Sequence, residues 1–257
     1  INDASVSAGS NFRNQVKSNI GPLENKGIEA SLTVRPVQTK DWQVEVTGNF
    51  TYNKNEITEL TGEAAMVKTG GINAGTGNQC QVHTVGKPAN SFYVYQQVYG
   101  ADGLPLEGVF VDRNNDGSIS EADRYCYKSP AAPYLAGLSA RIQYKNWDLG
   151  FNLRGSFGNY VYNDRQADYT NVAKRYDSSF ACLQNTTPTA VKNNWKTYSW
   201  VLSDYYVENA SFVKLDNITL GYSFQNLFKG GSYNGLNGRV YLTANNVPII
   251  IIYTVPE

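Results

Sequence analysis

Between Tyr134 and Asn159 the sequence alternates apolar and polar residues over two consecutive runs, joined by the shortest possible connection. In the first run Tyr134, Ala136, Leu138, Ala140, Ile142 and Tyr144 share one face, while Gly137, Ser139, Arg141, Gln143 and Lys145 share the other. In the second, Trp147, Leu149, Phe151, Leu153 and Phe157 stand against Asp148, Gly150, Asn152, Arg154, Ser156 and Gly158. A period of two places one face of a strand in an apolar medium and the other in a polar one. Each run lasts about 12 residues, against ~5–6 for strands of soluble proteins and roughly 9–11 for a tilted strand that crosses a membrane. Tyr144 and Trp147 flank the turn, where an interfacial aromatic belt sits. The pattern predicts a transmembrane β-hairpin.

The same pattern recurs. Residues 27–36 alternate around Ile28, Ala30, Leu32 and Val34, and residues 42–54 around Trp42, Val44, Val46, Phe50 and Tyr52, with a short polar turn from Pro36 to Asp41 between them. Residues 1–26 read as a loop or an incoming strand end. A strand is expected over 211–224, with Ile218, Leu220, Tyr222 and Phe224 in one phase and Val213 and Leu215 in the other. That phase change predicts a β-bulge, or a strand rising beyond the apolar zone. A Gly-rich turn at 225–237 leads to a strand over 239–247. Short and long connections alternate, the long ones being 55–133 and 160–208. Outer-membrane barrels alternate short inner turns with long outer loops. Soluble domains rarely carry such loops. The expected fold class is therefore all-β: antiparallel strands forming part of a large transmembrane barrel. Six strands cannot close a barrel of at least ~8, and open edges are not tolerated in lipid. The expectation is a fragment of a longer chain, in keeping with a start at Ile1 rather than Met.

Composition narrows the function. Charged residues make up 17% and the net charge is zero, so no basic field invites nucleic acid. No apolar run is long enough for a transmembrane helix. Cys80, Cys126 and Cys182 form no zinc-type pair and read as free thiols, or as a loop disulfide between two of them. His83 is the only histidine, and its surroundings do not suggest a catalytic base. No paired-carboxylate or nucleophile constellation marks an enzyme.

One segment has metal-site spacing. Asp112, Asn114, Asp116, Ser118, Ser120 and Asp123 occupy the oxygen-bearing positions of a calcium loop, with Gly117 at the sharp turn. Asp123 stands where the EF-hand pattern has Glu, and no amphipathic helix precedes it. A Ca2+ site and a metal-free Asn/Asp/Gly turn are both compatible with these residues.

Five blocks carry a family resemblance: NIGPLENKGIEASL at 19–32, VGKPANSFYVYQQVYG at 85–100, VFVDRNNDGSISEADR at 109–124, YVENASFVKLDNITLGYSF at 206–224 and RVYLTANNV at 239–247. In order and spacing they resemble the C-terminal part of SusC/RagA-like TonB-dependent outer-membrane receptors. The resemblance implies about the last quarter of a barrel, with 55–133 and 160–208 as outer loops and the plug domain and earlier strands absent. It implies active import of oligosaccharides or peptides across the bacterial outer membrane, a SusD-like surface lipoprotein as lid, and energy from TonB through the missing N-terminal part. Ligand contacts would come from loop aromatics, with Tyr93, Tyr95, Tyr160 and Tyr162 as candidates; interfacial packing is the competing reading for all four. The tail at 248–257 departs from the family pattern. The competing function is a soluble calcium-binding β-rich adhesin or carbohydrate-binding module.

Overall fold

A computed structural model of the chain describes residues 2–5, 15–19, 21–60, 66–74, 77–170, 176–177, 182–183, 186–196, 201–225, 235, 237–247 and 249–251. A short hairpin of β1 (Asn2–Ser5) and β2 (Gln15–Ser18) precedes the long strands β3 (Leu23–Gln38) and β4 (Trp42–Ile57). The first long connection carries β5 (Met66–Gly71), β6 (Gln79–Thr84), β7 (Ser91–Val94), β8 (Gln97–Tyr99), β9 (Pro105–Phe110) and β10 (Tyr125–Cys126). The hairpin β11 (Tyr134–Tyr144) and β12 (Trp147–Phe157) follows. The second long connection holds β13 (Tyr160–Tyr162), α1 (Asp164–Tyr169), β14 (Tyr176–Asp177), β15 (Cys182–Leu183), α2 (Pro188–Asn193) and β16 (Val207–Asn209). The chain then runs through β17 (Phe212–Phe224), β18 (Gly238–Asn245) and β19 (Ile249–Ile251).

The long strands form one antiparallel sheet in the order β18-β17-β12-β11-β4-β3, with β19 also on β17. The alternation sets its register. Tyr144 pairs with Trp147 on one side and Trp42 on the other, and Tyr134 pairs with Phe157 and Tyr52. Every residue of one apolar phase thus falls on one face. The 11 residues of β11, at about 3.3 Å per step and a tilt of about 40°, rise roughly 25 Å, the height of an outer-membrane apolar band. Aromatic rings close both ends of that band. Trp42 and Tyr144 lie 4.3 Å apart and Trp147 and Tyr222 4.8 Å apart at the end with the tight turns, and Tyr52 and Tyr134 5.2 Å apart at the other. Between them Ile28, Leu32, Leu138 and Leu242 stand exposed, Leu242 by 76%. A continuous apolar face of this size is not left in water by a soluble monomer.

Two bulges adjust the long strands. Leu153 pairs with Leu215 while Asn152 pairs with Asn217, so Asp216 is the extra residue and Val213 and Leu215 rejoin the apolar face. This is the phase change read from the sequence. The second bulge corrects an expectation. The strand β3 does not give way to a turn at Pro36 but continues to Gln38, with Arg35 and Pro36 together facing the single Glu45. A proline lacks a ladder donor and is accommodated at such a bulge. Across from Asp216, Asn246 adopts φ 59° and donates its N–H to the Asp216 carbonyl at 2.8 Å, so β19 continues β18 along the same neighbour after a kink. Most of the expected turn at 225–237, and the tail beyond residue 251, lie outside the described residues.

The packed core is not in the sheet. Cys80, Phe92 and Val94 from the first long connection meet Trp195, Leu202 and Tyr206 from the second in one buried cluster. A single-layer wall has no interior, since one face meets lipid and the other the lumen. The long connections, read from the sequence as loops, supply the interior instead.

Candidate functional site

Two surfaces carry polar chemistry: the inner face of the sheet and the joined outer connections.

On the inner face, several charges on different strands form ion pairs. Arg35 donates Nε–H to Glu45 at 2.7 Å, and Arg154 lies 3.0 Å from Asp216. Arg239 of β18 bonds Asp148 of β12 with both Nε and Nη2, across the intervening strand β17. It passes over Gly221, where an added Cβ would lie 2.6 Å from the guanidinium and 2.6 Å from the carboxylate. Hydroxyl and amide pairs continue the face: Thr33 with Thr47, Thr219 with Thr243, Asn152 with Asn217. A cleft of about 460 Å³ opens here, lined by Arg141, Ser139, Asn152 and Thr219 among others.

The outer connections are joined at one node. Tyr95 N–H donates to the Leu202 carbonyl at 2.8 Å, and Asp204 N–H to the Tyr95 carbonyl at 2.9 Å. The Asp204 carboxylate accepts the Gln97 N–H at 3.0 Å and the Tyr125 hydroxyl at 2.8 Å. Burial outweighs these donors and raises the Asp204 pKa; the Tyr125 hydroxyl is pushed far above its ordinary value by its own burial and by the Asp204 carboxylate. Ser203 completes the node with a buried 2.8 Å bond to the Gln97 side chain. A second tie lies at α1, where the Asp164 carboxylate accepts the backbone N–H groups of Asn73 and Ala74 at 3.0 and 3.2 Å. Sequence reasoning passed over Asp204, Gln97 and Asp164. Their sequence signal is slight, since isolated polar residues in loops are ordinary, and only the fold brings residues 97, 125 and 204 together.

The four tyrosines divide into two groups. Tyr93 is buried, its hydroxyl bonded to the Glu121 carbonyl at 3.3 Å. Tyr95 stacks on Phe110 at 4.8 Å, and the Arg124 guanidinium lies 5.0 Å from the Tyr95 ring centre. Tyr160 and Tyr162 instead line a cleft of about 290 Å³ with Gly71, Gln81, Phe92 and Asp164. The Tyr162 hydroxyl is bonded to the Val201 carbonyl, and Lys128 lies 5.0 Å from the Tyr160 ring centre. Cys80 and Cys126 are free thiols, so they do not form the disulfide that the sequence allowed; the Cys182 side chain lies outside the described residues. His83 lies on β6 and accepts the Asn90 N–H through Nδ1 at 3.3 Å.

In the 112–123 loop, successive acidic and amide side chains accept backbone amides, as turn-forming residues do. Asp112 Oδ2 accepts Gly117 N–H at 2.8 Å, Asn114 Oδ1 accepts Asp116 N–H at 3.0 Å, and Asp116 Oδ1 accepts Ser118 N–H at 2.8 Å. Asp123, fully buried, is the third residue of a 3-10 turn at Glu121–Asp123 that Ser120 caps, and its carboxylate completes the capping box. Its two oxygens accept the N–H groups of Ser120, Arg113 and Asn114, which hold its pKa below the usual carboxylate range. The twelfth position of the loop therefore serves as an internal hub. Asp112 Oδ1 is buried with no hydrogen-bond partner among the described residues. No three His, Cys, Asp or Glu side chains among the described residues converge on one point.

No family model matches the chain. Over 98% of its length the chain is 46% identical to the TonB-dependent receptor SusC of Bacteroides thetaiotaomicron, of which it covers 26%. A TonB-dependent receptor of Formosa agariphila is 27% identical over 89% of the chain and 24% of its own length. Among solved structures, the RagAB peptide transporter superposes with a TM-score of 0.68 over 98% of the chain and 28% of its counterpart, at 23% identity, which shows a shared fold. The chain thus spans about a quarter of the length of these curated relatives. The relatives are named as receptors and transporters, not as enzymes.

Proposed function

We propose, proceeding from a chain that is a SusC/RagA-like segment of barrel wall, that the complete receptor resides in the bacterial outer membrane and imports oligosaccharides or peptides with TonB-supplied energy. The observation that carries this reading is the 46% identity to the TonB-dependent receptor SusC over nearly the whole chain. An inner face of hydroxyls, amides and matched ion pairs supports it, since a wet lumen is what a transport wall must offer. The segment does no covalent chemistry. Its strands separate lipid from lumen, and its joined connections, 55–133 and 160–208, form part of the outer mouth. Engagement of TonB belongs to the part of the receptor that this segment lacks. A SusD-like lipoprotein covers the mouth. Tyr160 and Tyr162 offer ring faces to cargo in their cleft; Tyr93 and Tyr95 contribute by fixing the surrounding loop.

We further propose that the 112–123 loop holds one Ca2+ ion through Asp112 Oδ1, with Asn114, Asp116, Ser118 and Ser120 beside it and Asp123 as the hub that shapes the loop. The ion would neutralise an oxygen that the protein leaves unpartnered. It has no part in transport chemistry.

The test is uptake of labelled oligosaccharides and labelled peptides by cells carrying the complete receptor, with and without TonB. TonB-dependent uptake of either class is the expected result, and which class enters settles the cargo. Uptake of neither, or uptake indifferent to TonB, would sink the reading.

A further inference from the structure

Two neighbouring inner turns of the wall carry cations that the protein does not pair. Lys145 N–H donates to the Asp41 carbonyl at 2.8 Å, so the turn between β3 and β4 lies beside the turn between β11 and β12. Lys40 and Lys145 are both exposed, and neither ammonium has an ion-pair partner among the described residues. What the Lys145 ammonium does meet is the Tyr144 ring, 5.3 Å away. Tyr144 belongs to the lipid-facing phase, and its ring lies 4.3 Å from that of Trp42. The cation therefore stands beside the aromatic end of the apolar band, at the depth of lipid headgroups. Asp41 is the acid of these two turns, so Lys40, Asp41 and Lys145 together leave a surplus of positive charge.

Lys145 also stands where the backbone disfavours it. Tyr144 pairs with Trp147, so Lys145 and Asn146 alone make the turn, and Lys145 takes a left-handed φ of 51°. Two-residue turns select Gly, Asn or Asp at such a position, because a longer side chain is unfavourable there. The turn itself gains nothing from a lysine. Two unpaired ammonium groups on adjacent turns also repel each other. An anion between them offsets both costs.

We infer that Lys40 and Lys145 form a site for the phosphate of an anionic phospholipid in the inner leaflet. Position supplies the occupant: the lysines flank the lipid-facing rings, and the layer that meets those rings is the headgroup layer. Charge selects among headgroups, since a surplus of positive charge favours a net-negative lipid over a zwitterionic one. The acyl chains then lie along the apolar face below Trp42, Tyr144 and Trp147. The inference rests on the barrel-wall reading above. It goes beyond that reading by assigning a ligand of stated chemistry to the lipid-facing side.

The experiment equilibrates the complete receptor in detergent with equal amounts of phosphatidylglycerol and phosphatidylcholine. Native mass spectrometry then counts the lipid that stays bound. The parent is expected to retain phosphatidylglycerol severalfold over phosphatidylcholine, and Lys40→Gln combined with Lys145→Asn to bring the two close to parity. No preference in the parent, or an undiminished one in the double variant, would overturn the proposal. Thermal unfolding in detergent free of phospholipid separates lipid binding from a role in the turn. There Lys145→Asn is expected to match or exceed the parent midpoint, because Asn suits the left-handed position. A lower midpoint would show that the lysine serves the turn and counts against the site. Heat-dependent gel migration separates the two layers of inference. Absence of the barrel signature in the parent protein would refute the wall reading itself, whereas a barrel without the lipid preference refutes only the phosphate site.

Discussion

Arg239 holds Asp148 from two strands away, with Nε 2.9 Å from Oδ1 and Nη2 2.5 Å from Oδ2, and it does so because Gly221 lies between them. The absent side chain is what lets the bridge cross. Gly221→Val is therefore expected to break it by occupying its path. Overpacking of this kind costs about 1–3 kcal/mol, read as a lower unfolding midpoint of the complete receptor in detergent. Gly150→Val, where the nearest atom to an added Cβ lies 3.8 Å away, is the control and should change little. Equal midpoints for the two variants would show that the crossing does not matter.

The assignment of faces predicts opposite results at adjacent positions. Leu138 lies mid-strand on the apolar face and Ser139 beside it on the lumen face. Leu138→Arg should cost about 2–4 kcal/mol, as a cation at the bilayer midplane does, and Ser139→Arg about 0.5 kcal/mol or less, as at a solvated surface. Refolding yield into lipid vesicles measures both. A soluble calcium-binding module would show no such contrast and would need no detergent.

Asp204 pins the two outer connections. Asp204→Ala leaves the Gln97 N–H and the Tyr125 hydroxyl without their acceptor. Each orphaned donor costs about 1–3 kcal/mol. The expected outcome is faster proteolysis within 66–133 and 160–209 with the barrel intact. Unaltered cleavage in the outer connections would show that the node does not hold them.

The same carboxylate and Asp123 give pH dependences of opposite sign. Burial raises the Asp204 pKa, so its contribution to stability is full below its unfolded value of about 3.9 and declines as pH rises through the higher folded value. The Ser120 amide leads the donors that lower the Asp123 pKa, so its contribution is present above about 3.9 and is lost as pH falls through the lower folded value. Asp204→Asn should thus improve relative to the parent as pH rises through the raised folded value of Asp204. Asp123→Asn should be at its greatest disadvantage above about pH 3.9 and lose it as pH falls through the lowered folded value of Asp123. Thermal unfolding across pH measures both, and parallel curves for the two variants would contradict the assignment.

For the 112–123 loop, Asp112→Ala combined with Asp116→Ala is expected to remove one bound Ca2+ per receptor and leave the barrel folded. Metal content measured on the purified receptor decides it. An unchanged calcium content would leave the loop as a turn held by its own hydrogen bonds.

Alternation from Trp42 to Tyr52 and from Tyr134 to Phe157 was enough to determine the strands, the pairing of faces and the aromatic ends of the apolar band. Each of these depends on period-two spacing along a single strand or on the next strand in register. The bulge at Asp216 was legible for the same reason, as a change of phase. The sequence also marked residues 112–123 as a loop of converging oxygens. What it could not give was the meeting of distant segments. Tyr95 finds Ser203, Asp164 finds Ala74, and Arg239 finds Asp148 through contacts between residues about 90 to 110 positions apart, and local patterning carries no information about such partners. The role of Asp123 followed suit. Spacing made it a metal ligand, but burial turned its oxygens toward the amides of Arg113, Asn114 and Ser120. The wall was written in the strand periodicity because lipid and water sort side chains one at a time. The interior of the outer connections was decided only by the tertiary structure, because a packed core is a property of segments brought together.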